Sequence, residues 1–266
     1  MSVVFQIKGR LGNAIFRYLG CSFLCLKCNL NYQTNGNYNF IINDEMFKKI
    51  IDLDSKNFNI NIDNKTNYLM NGYYQHDIVY RKYKDEILKY MKSNIEHFVL
   101  TDGVNAGDGN IEKFYIKDII HNPTNFNKFY DLAIHIRLGD KVDHGTTLSI
   151  DSIKNIISKI NIPKNSCLIV NKPKNTYEQG FINDIKEYIK LTKNISINIE
   201  SNDIITDYHI MRNSKVLVCS ISTISWCAAF LSTKIVKCYM PDYPECVNKN
   251  GHCKYPIENT ELYHYT

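Results

Sequence analysis

The sequence predicts an α/β protein built on parallel sheets, and three observations carry that expectation. From Asp131 to Met240, short apolar strands alternate with helical segments, the order in which strands run parallel and are covered by helices on both faces. Near the N-terminus, Val3 to Ile7 reads as a buried strand that leads through the loop Lys8 to Gly12 into a helical run from about Asn13 to Cys28. Asn122 and Pro123 mark a linker between these regions, which divides the chain into domains of residues 1–124 and 125–266.

A chain of 266 residues should bury about three quarters of its unfolded surface, enough for one large domain or two ordinary ones. The net charge of +5 is modest and the lysines are scattered, so an anionic ligand is favoured while no nucleic-acid surface is marked. VVFQI near the N-terminus is followed at once by Lys8, Gly9 and Arg10, and no later apolar run approaches the roughly 18 residues of a membrane helix. A soluble, cytoplasmic protein with no transmembrane segment is expected.

Nine cysteines without a secretory signal read as reduced thiols, several of them in apolar segments where cysteine acts as a small hydrophobe. Cys25 and Cys28 form a CxxC, but with Cys21 they fall at helical spacing on an apolar stretch. The only distant partners for a metal are Cys246, His252 and Cys253, so core packing is the better reading. Asp52 and Asp54 form a DxD triplet of the kind that can hold a divalent cation, a spacing that also arises often by chance.

In the second half, strand Asp131 to Arg137 precedes a helix near Asp151 to Ile160, strand Ser166 to Asn171 and a helix near Tyr177 to Thr192. Strand Ile195 to Glu200, a helix near Asp203 to Asn213, strand Lys215 to Cys219, a helix near Thr223 to Leu231 and strand Lys234 to Met240 follow. Between Asn29 and Thr124 the pattern is less regular. Asp77 to Met91 forms an amphipathic helix, Asn71 to Gln75 (NGYYQ) a turn with paired tyrosines, and Asn105 to Asn110 an exposed loop.

Ligands of a parallel sheet sit beyond the carboxyl ends of its strands. Along DLAIHIRLGD, Leu132, Ile134 and Ile136 share one face while Ala133, His135 and Arg137 share the other, so Arg137 stands at a strand end. Gly139 allows a tight turn there and Asp140 can accept hydrogen bonds from it. A guanidinium held in this way suits a diphosphate, to which its planar fork donates paired hydrogen bonds; a surface arginine paired with Asp140 or Asp143 is the plain alternative. Ser220 to Ser222 joins the next such strand end to a helix opening at Thr223, where unpaired N–H groups and two hydroxyls could receive a phosphate or could simply form an N-cap. Gly9 and Gly12 make a third turn, with Asn13 offering an amide at the helix start. Tyr73 and Tyr74 could stack on a sugar ring or cover the core.

These stretches together resemble the family 11 glycosyltransferases, the α-1,2-fucosyltransferases, and more distantly the wider group of fucosyltransferases with a GT-B fold. GRLGN at Gly9 to Asn13 resembles the family's GxLGNQ motif, HIRLGD at His135 to Asp140 its HxRxGD motif, and SISTISWCAAFL at Ser220 to Leu231 its NSTFSWWAAxL motif. NGYYQ is similar to a family segment ending GYxQ. Ala14 stands where the family usually has Gln, Ile224 where it has Phe, and Cys227 where it has a second Trp.

The resemblance implies two Rossmann-like domains whose parallel sheets face across a cleft. It implies an inverting, metal-independent transfer of L-fucose from GDP-fucose to a hydroxyl of an oligosaccharide or glycoconjugate. Arg137 would bind the diphosphate, assisted by Ser222 and Thr223, while Gly9, Arg10, Gly12 and Asn13 would complete the donor site. Tyr73, Tyr74 and Gln75 would face the acceptor. Asp140 and His135 are the nearest candidates for a base, with Asp140 also readable as a turn residue and His135 as a supporting partner. Two other functions fit the same residues: a transferase of like architecture using another nucleotide-sugar, and a glycan-binding descendant that no longer catalyses. A dinucleotide-binding enzyme fits less well, because no GxGxxG follows any strand.

Overall fold

The computed structural model describes residues 2–5, 10–33, 37–52, 67–93, 99–102, 113–143, 145, 147–243 and 253–265. The chain divides into two compact units, one of Met1–Asn122 with Glu245–Cys253 and the other of Pro123–Pro244 with Lys254–Thr266. Each contains a parallel sheet with helices between its strands, as the alternation predicts for the second and the resemblance implies for both.

In the first unit β1 (Ser2–Phe5) leads to α1 (Leu11–Cys28), then to β2 (Asn31–Gln33), β3 (Phe40–Ile42), α2 (Asp44–Asp52) and β4 (Tyr68–Met70). The four strands run parallel in the order β2-β1-β4-β3. Helix α1 is buried almost from end to end, with Phe16, Tyr18, Leu19, Phe23 and Leu24 all inaccessible. It stops at Asn29, whose left-handed φ of 52° suits asparagine and whose N–H bonds the Cys25 carbonyl. Cys21 and Cys25 lie in this packing and burial pushes both thiols up, Cys25 to about 12, as expected of cysteines that act as hydrophobes.

The helix expected over Asp77 to Met91 is broken in two: α3 (Asp77–Lys82) and α4 (Lys84–Ser93) meet at Tyr83, whose φ of −112° and ψ of 23° leave the helical region. Tertiary packing overrides the amphipathic period at this point. The Tyr83 ring lies 5.4 Å from that of Phe23 and under the Lys27 ammonium at 3.7 Å. Strands β5 (Val99–Asp102) and β6 (Lys113–Tyr115) then form an antiparallel pair before α5 (Ile116–Ile120).

The second unit runs β7 (Leu132–Ile136), α6 (Asp140–Asp143), α7 (Ile150–Lys159), β8 (Ser166–Val170), α8 (Thr176–Lys193), β9 (Asn198–Glu200), α9 (Ile204–Asn213), β10 (Val216–Val218), α10 (Thr223–Phe230), β11 (Lys237–Pro241) and β12 (Thr260–Tyr263). All of these strands pair in parallel, in the order β12-β11-β10-β7-β8-β9. Numbered within the unit this is 6-5-4-1-2-3, the doubly wound Rossmann order, which reverses direction between β7 and β10. The edge strand β12 lies outside the expected series, because TELY is short and mostly polar.

Alternation along β7 works as read from the sequence. Leu132, Ile134 and Ile136 join Ile153, Ile156 and Ile157 of α7 and Phe181, Ile182, Ile185 and Ile189 of α8 in one core. Both faces of β7 and β8 are buried, as a sheet covered by helices on two sides requires. Trp226 is buried in α10, stacked on Phe230 with ring centroids 5.1 Å apart.

Candidate functional site

The reversal of strand order fixes where a ligand of the second sheet would lie, in the crevice beyond the carboxyl ends of β7 and β10. Both sequence-derived phosphate elements stand there. Val216 pairs with Leu132 and Val218 with Ile134, and the same register continued places Ile221 level with Arg137. The loop that carries Arg137 and the loop that carries Ser220 to Ser222 therefore leave the sheet side by side.

A direct bond joins them. Nδ1 of His135 lies 3.0 Å from Oγ of Ser220, both groups being buried. Burial, aided by the positive charge of Arg137, pushes the His135 imidazole down to about 3, so the ring is neutral at physiological pH. The bond to Ser220 is what the reading of His135 as a supporting partner expects. Through Nδ1 the ring ties two strand ends together.

Beyond the strand, Arg137 is half-buried and Leu138 is fully so. The Arg137 carbonyl accepts a hydrogen bond from the Thr147 hydroxyl at 3.4 Å. Gly139 adopts a left-handed φ of 67°, which opens the short helix α6 with Val142 N–H on the Gly139 carbonyl at 2.8 Å. Asp140 is the first residue of α6, and its side chain lies outside those described.

On the neighbouring loop, the Ser222 N–H bonds the Ser220 carbonyl at 2.8 Å, and Ser222 becomes the N-cap of α10. It departs from ordinary capping. Ser149, Asn175 and Asp203 each accept a backbone N–H at the starts of α7, α8 and α9, whereas the Ser222 side chain makes no cap bond. Its buried Oγ has no partner among the described residues. Thr223 follows, half-buried, at the first helical position. An unpaired buried hydroxyl costs about 1–3 kcal/mol, a cost that a bound oxygen would remove.

In the first unit, Gly9 lies outside the described residues, Arg10 is the exposed N-cap of α1 without a capping side-chain bond, and Gly12 is buried within the first turn. Asn13, in the same turn, accepts a hydrogen bond at Oδ1 from Gln75 Nε2 at 3.2 Å. Two residues taken from motifs 62 positions apart are thus in contact.

Tyr74 corrects the acceptor reading. It is fully buried, its hydroxyl donates to the Ile42 carbonyl at 2.5 Å and its ring packs on Phe47, so it cannot stack on a sugar. Its φ of 52° is rare for a bulky residue. The turn is held in that conformation by Asp44, whose carboxylate accepts the N–H groups of Tyr73 and Tyr74 at 2.9 and 2.6 Å. Asn71 is exposed, Tyr73 half-buried and Gln75 buried with its amide on Asn13.

Of the metal candidates, Asp52 ends α2, while Asp54, Cys246 and His252 lie outside the described residues. Among the described residues no group of three His, Cys, Asp or Glu side chains is placed to hold a metal ion. Nor is any helix of these residues long and apolar enough to cross a membrane.

One residue at the site was missed in the sequence. Glu178, in the first turn of α8, is 2% exposed and accepts N–H groups from Gly139 at 3.2 Å and Lys174 at 2.8 Å. Asn175 and Glu178 have the spacing of a capping box, which would send the carboxylate back to the Asn175 N–H. The carboxylate instead crosses to the turn after Arg137, a destination no local pattern reveals.

No protein-family model and no curated protein sequence matches the chain. A solved structure from Listeria monocytogenes, described as a UDP-N-acetylglucosamine 2-epimerase, is similar over 61% of this chain and 36% of its own, at 12% identity and a TM-score of 0.28. The chain thus spans little more than a third of that protein.

Proposed function

We propose that this chain is an inverting, metal-independent glycosyltransferase that moves L-fucose from GDP-fucose to a hydroxyl of a glycan. One observation carries the nucleotide part of the reading: Arg137 and the start of α10, with a Ser222 hydroxyl that has no partner among the described residues, flank the switch point of a doubly wound sheet. The fucose part rests on the GRLGN, HIRLGD and SISTISW motifs and their order in the chain.

The chemistry follows from charge. Breaking the bond between sugar and phosphate develops negative charge on the departing diphosphate and positive charge on the sugar ring. A guanidinium set at the end of β7 and the positive end of the α10 dipole stabilise the first of these, with Ser222 and Thr223 donating hydroxyl hydrogen bonds. That stabilisation requires no divalent ion. Attack by an acceptor hydroxyl on the opposite side of the sugar carbon inverts its configuration. His135 supports the site as a cross-brace through Ser220, and the base is left unassigned between Asp140 and His135. Asn13, assigned to the donor site, and Gln75, assigned to the acceptor side, form a hydrogen-bonded amide pair.

The test is release of free nucleotide from a panel of nucleotide-sugars, with and without EDTA. GDP released from GDP-fucose alone, insensitive to EDTA and lost in Arg137→Ala, is the expected result. Release from a different donor removes fucose and keeps a transferase. Glycan binding without release from any donor, even with acceptor present, assigns the chain to the non-catalytic descendants instead.

A further inference from the structure

We infer that Glu178 is a positioning residue that sets the aim of Arg137, an inference that rests on the nucleotide reading above. The β7 ladder ends at Ile136, so Arg137 is the first residue no longer held by strand pairing. Among the described residues, these contacts help to fix its backbone from there on. Thr147 holds the Arg137 carbonyl, the Leu138 side chain is buried in the core, and Glu178 Oε1 takes the Gly139 N–H. The first two are a weak bond at 3.4 Å and an apolar anchor that resists translation more than twist. The third is a charge-assisted bond at the residue whose left-handed conformation makes the turn.

Glu178 is itself rigidly placed. Its own N–H donates to the Asn175 Oδ1 at 2.9 Å, its second oxygen takes the Lys174 N–H, and it lies at the N-terminal end of an 18-residue helix whose dipole favours the negative charge. The carboxylate therefore joins the loops after β7 and β8 into one unit. His135 and Ser220 do the same for the loops after β7 and β10. Arg137 stands between two cross-braces, one on each side of its strand. Small displacement of a group that contacts a reacting ligand has large kinetic cost, so a brace acting through Arg137 should be visible in ligand affinity.

A double-mutant cycle on GDP binding, read by calorimetry, tests this with Glu178→Ala, Arg137→Ala and the double variant. In the presence of Arg137, Glu178→Ala should raise the Kd for GDP about tenfold, and Glu178→Gln, which keeps one acceptor oxygen, should raise it less. In the Arg137→Ala background the same change should cost less than about twofold, because a residue acting through Arg137 has nothing left to act on. Hydrogen exchange should quicken in the peptide containing Gly139 and stay unchanged in β7 for both Glu178 variants. Equal losses with and without Arg137, or no loss in either, overturn the inference. Failure of the unmodified protein to bind GDP or any other nucleoside diphosphate overturns the nucleotide reading and this inference with it, and is told apart by occurring before any substitution is made.

Discussion

Nδ1 of His135 and Oγ of Ser220, 85 residues apart in the chain, lie 3.0 Å apart across the two strands between which the sheet reverses its order. The bond makes the strand end that carries Arg137 and the loop that starts α10 parts of one polar framework. Because both groups are buried, each depends on the other for its hydrogen bond.

The first expectation concerns pH. His135 titrates near 3 in the folded chain and near 6.5 when unfolded, so between those values the unfolded state binds the extra proton and stability rises with pH. The contribution is complete above about pH 6.5 and is lost progressively as pH falls toward 3. Thermal denaturation at pH 7 and pH 4.5 should show a smaller acid-induced drop in Tm for His135→Asn than for the unmodified protein. An identical drop in both would show that His135 is not buried neutral.

Ser222 provides a contrast with an ordinary cap. Asp203 accepts the N–H groups of Ile205 and Thr206, so Asp203→Ala should destabilise the protein by about 1 kcal/mol. Ser222→Ala removes a hydroxyl that bonds nothing among the described residues, and Tm should stay the same or rise slightly. Affinity for GDP should nevertheless fall several-fold in Ser222→Ala and stay unchanged in Asp203→Ala. Calorimetry and melting on the same two variants decide it.

Gly20 in α1 is required by the turn that contains Tyr74. A Cβ at this position would stand 2.9 Å from both Cβ and Cγ of Tyr74, whose backbone is held by the Asp44 carboxylate. Gly→Ala within a helix ordinarily stabilises by about 1 kcal/mol. Here overpacking, typically costing 1–3 kcal/mol, should reverse the sign or cancel the gain, and urea denaturation of Gly20→Ala should show no increase in midpoint.

The cysteines should behave as core. Cys21, Cys227 and Cys238 are fully buried with thiols pushed well up by desolvation, and Cys238 shares a thiol hydrogen bond, not a disulfide, with Cys219 at 3.7 Å. Alkylation at pH 8, mapped by mass spectrometry, should label these only after denaturant is added. Rapid labelling in the native protein would contradict their burial.

Several features of the fold were legible because they depend on local periodicity. The alternation of Leu132, Ile134 and Ile136 marks a core face wherever the neighbouring helices lie, and each expected strand and helix of the second half forms with ends shifted by a few residues. Tyr83 shows the limit: its neighbours keep helical spacing, yet packing against Phe23 and Lys27 breaks the helix there. Tyr74 shows another, since a tyrosine in a polar turn reads equally well as a stacking platform or as core. The Asp44 carboxylate and the Ile42 carbonyl decide between them from about thirty residues away.

By itself the sequence determined the α/β class, the parallel pairing of strands separated by helices, and the arrival of Arg137 and Ser222 at strand ends, because period-2 and helical spacings report which residues are buried and where an element stops. It could not determine which strands are neighbours. The tertiary structure decided that β10 lies beside β7, and with it that Arg137 and Ser222 follow neighbouring strand ends, that Ser220 holds His135, that Gln75 meets Asn13 and that Glu178 reaches the turn at Gly139. Each of these is a pairing of polar groups far apart in sequence. Such partners leave no periodic trace, since a buried hydrogen bond needs only that two atoms meet, and the order of the strands determines which ones do.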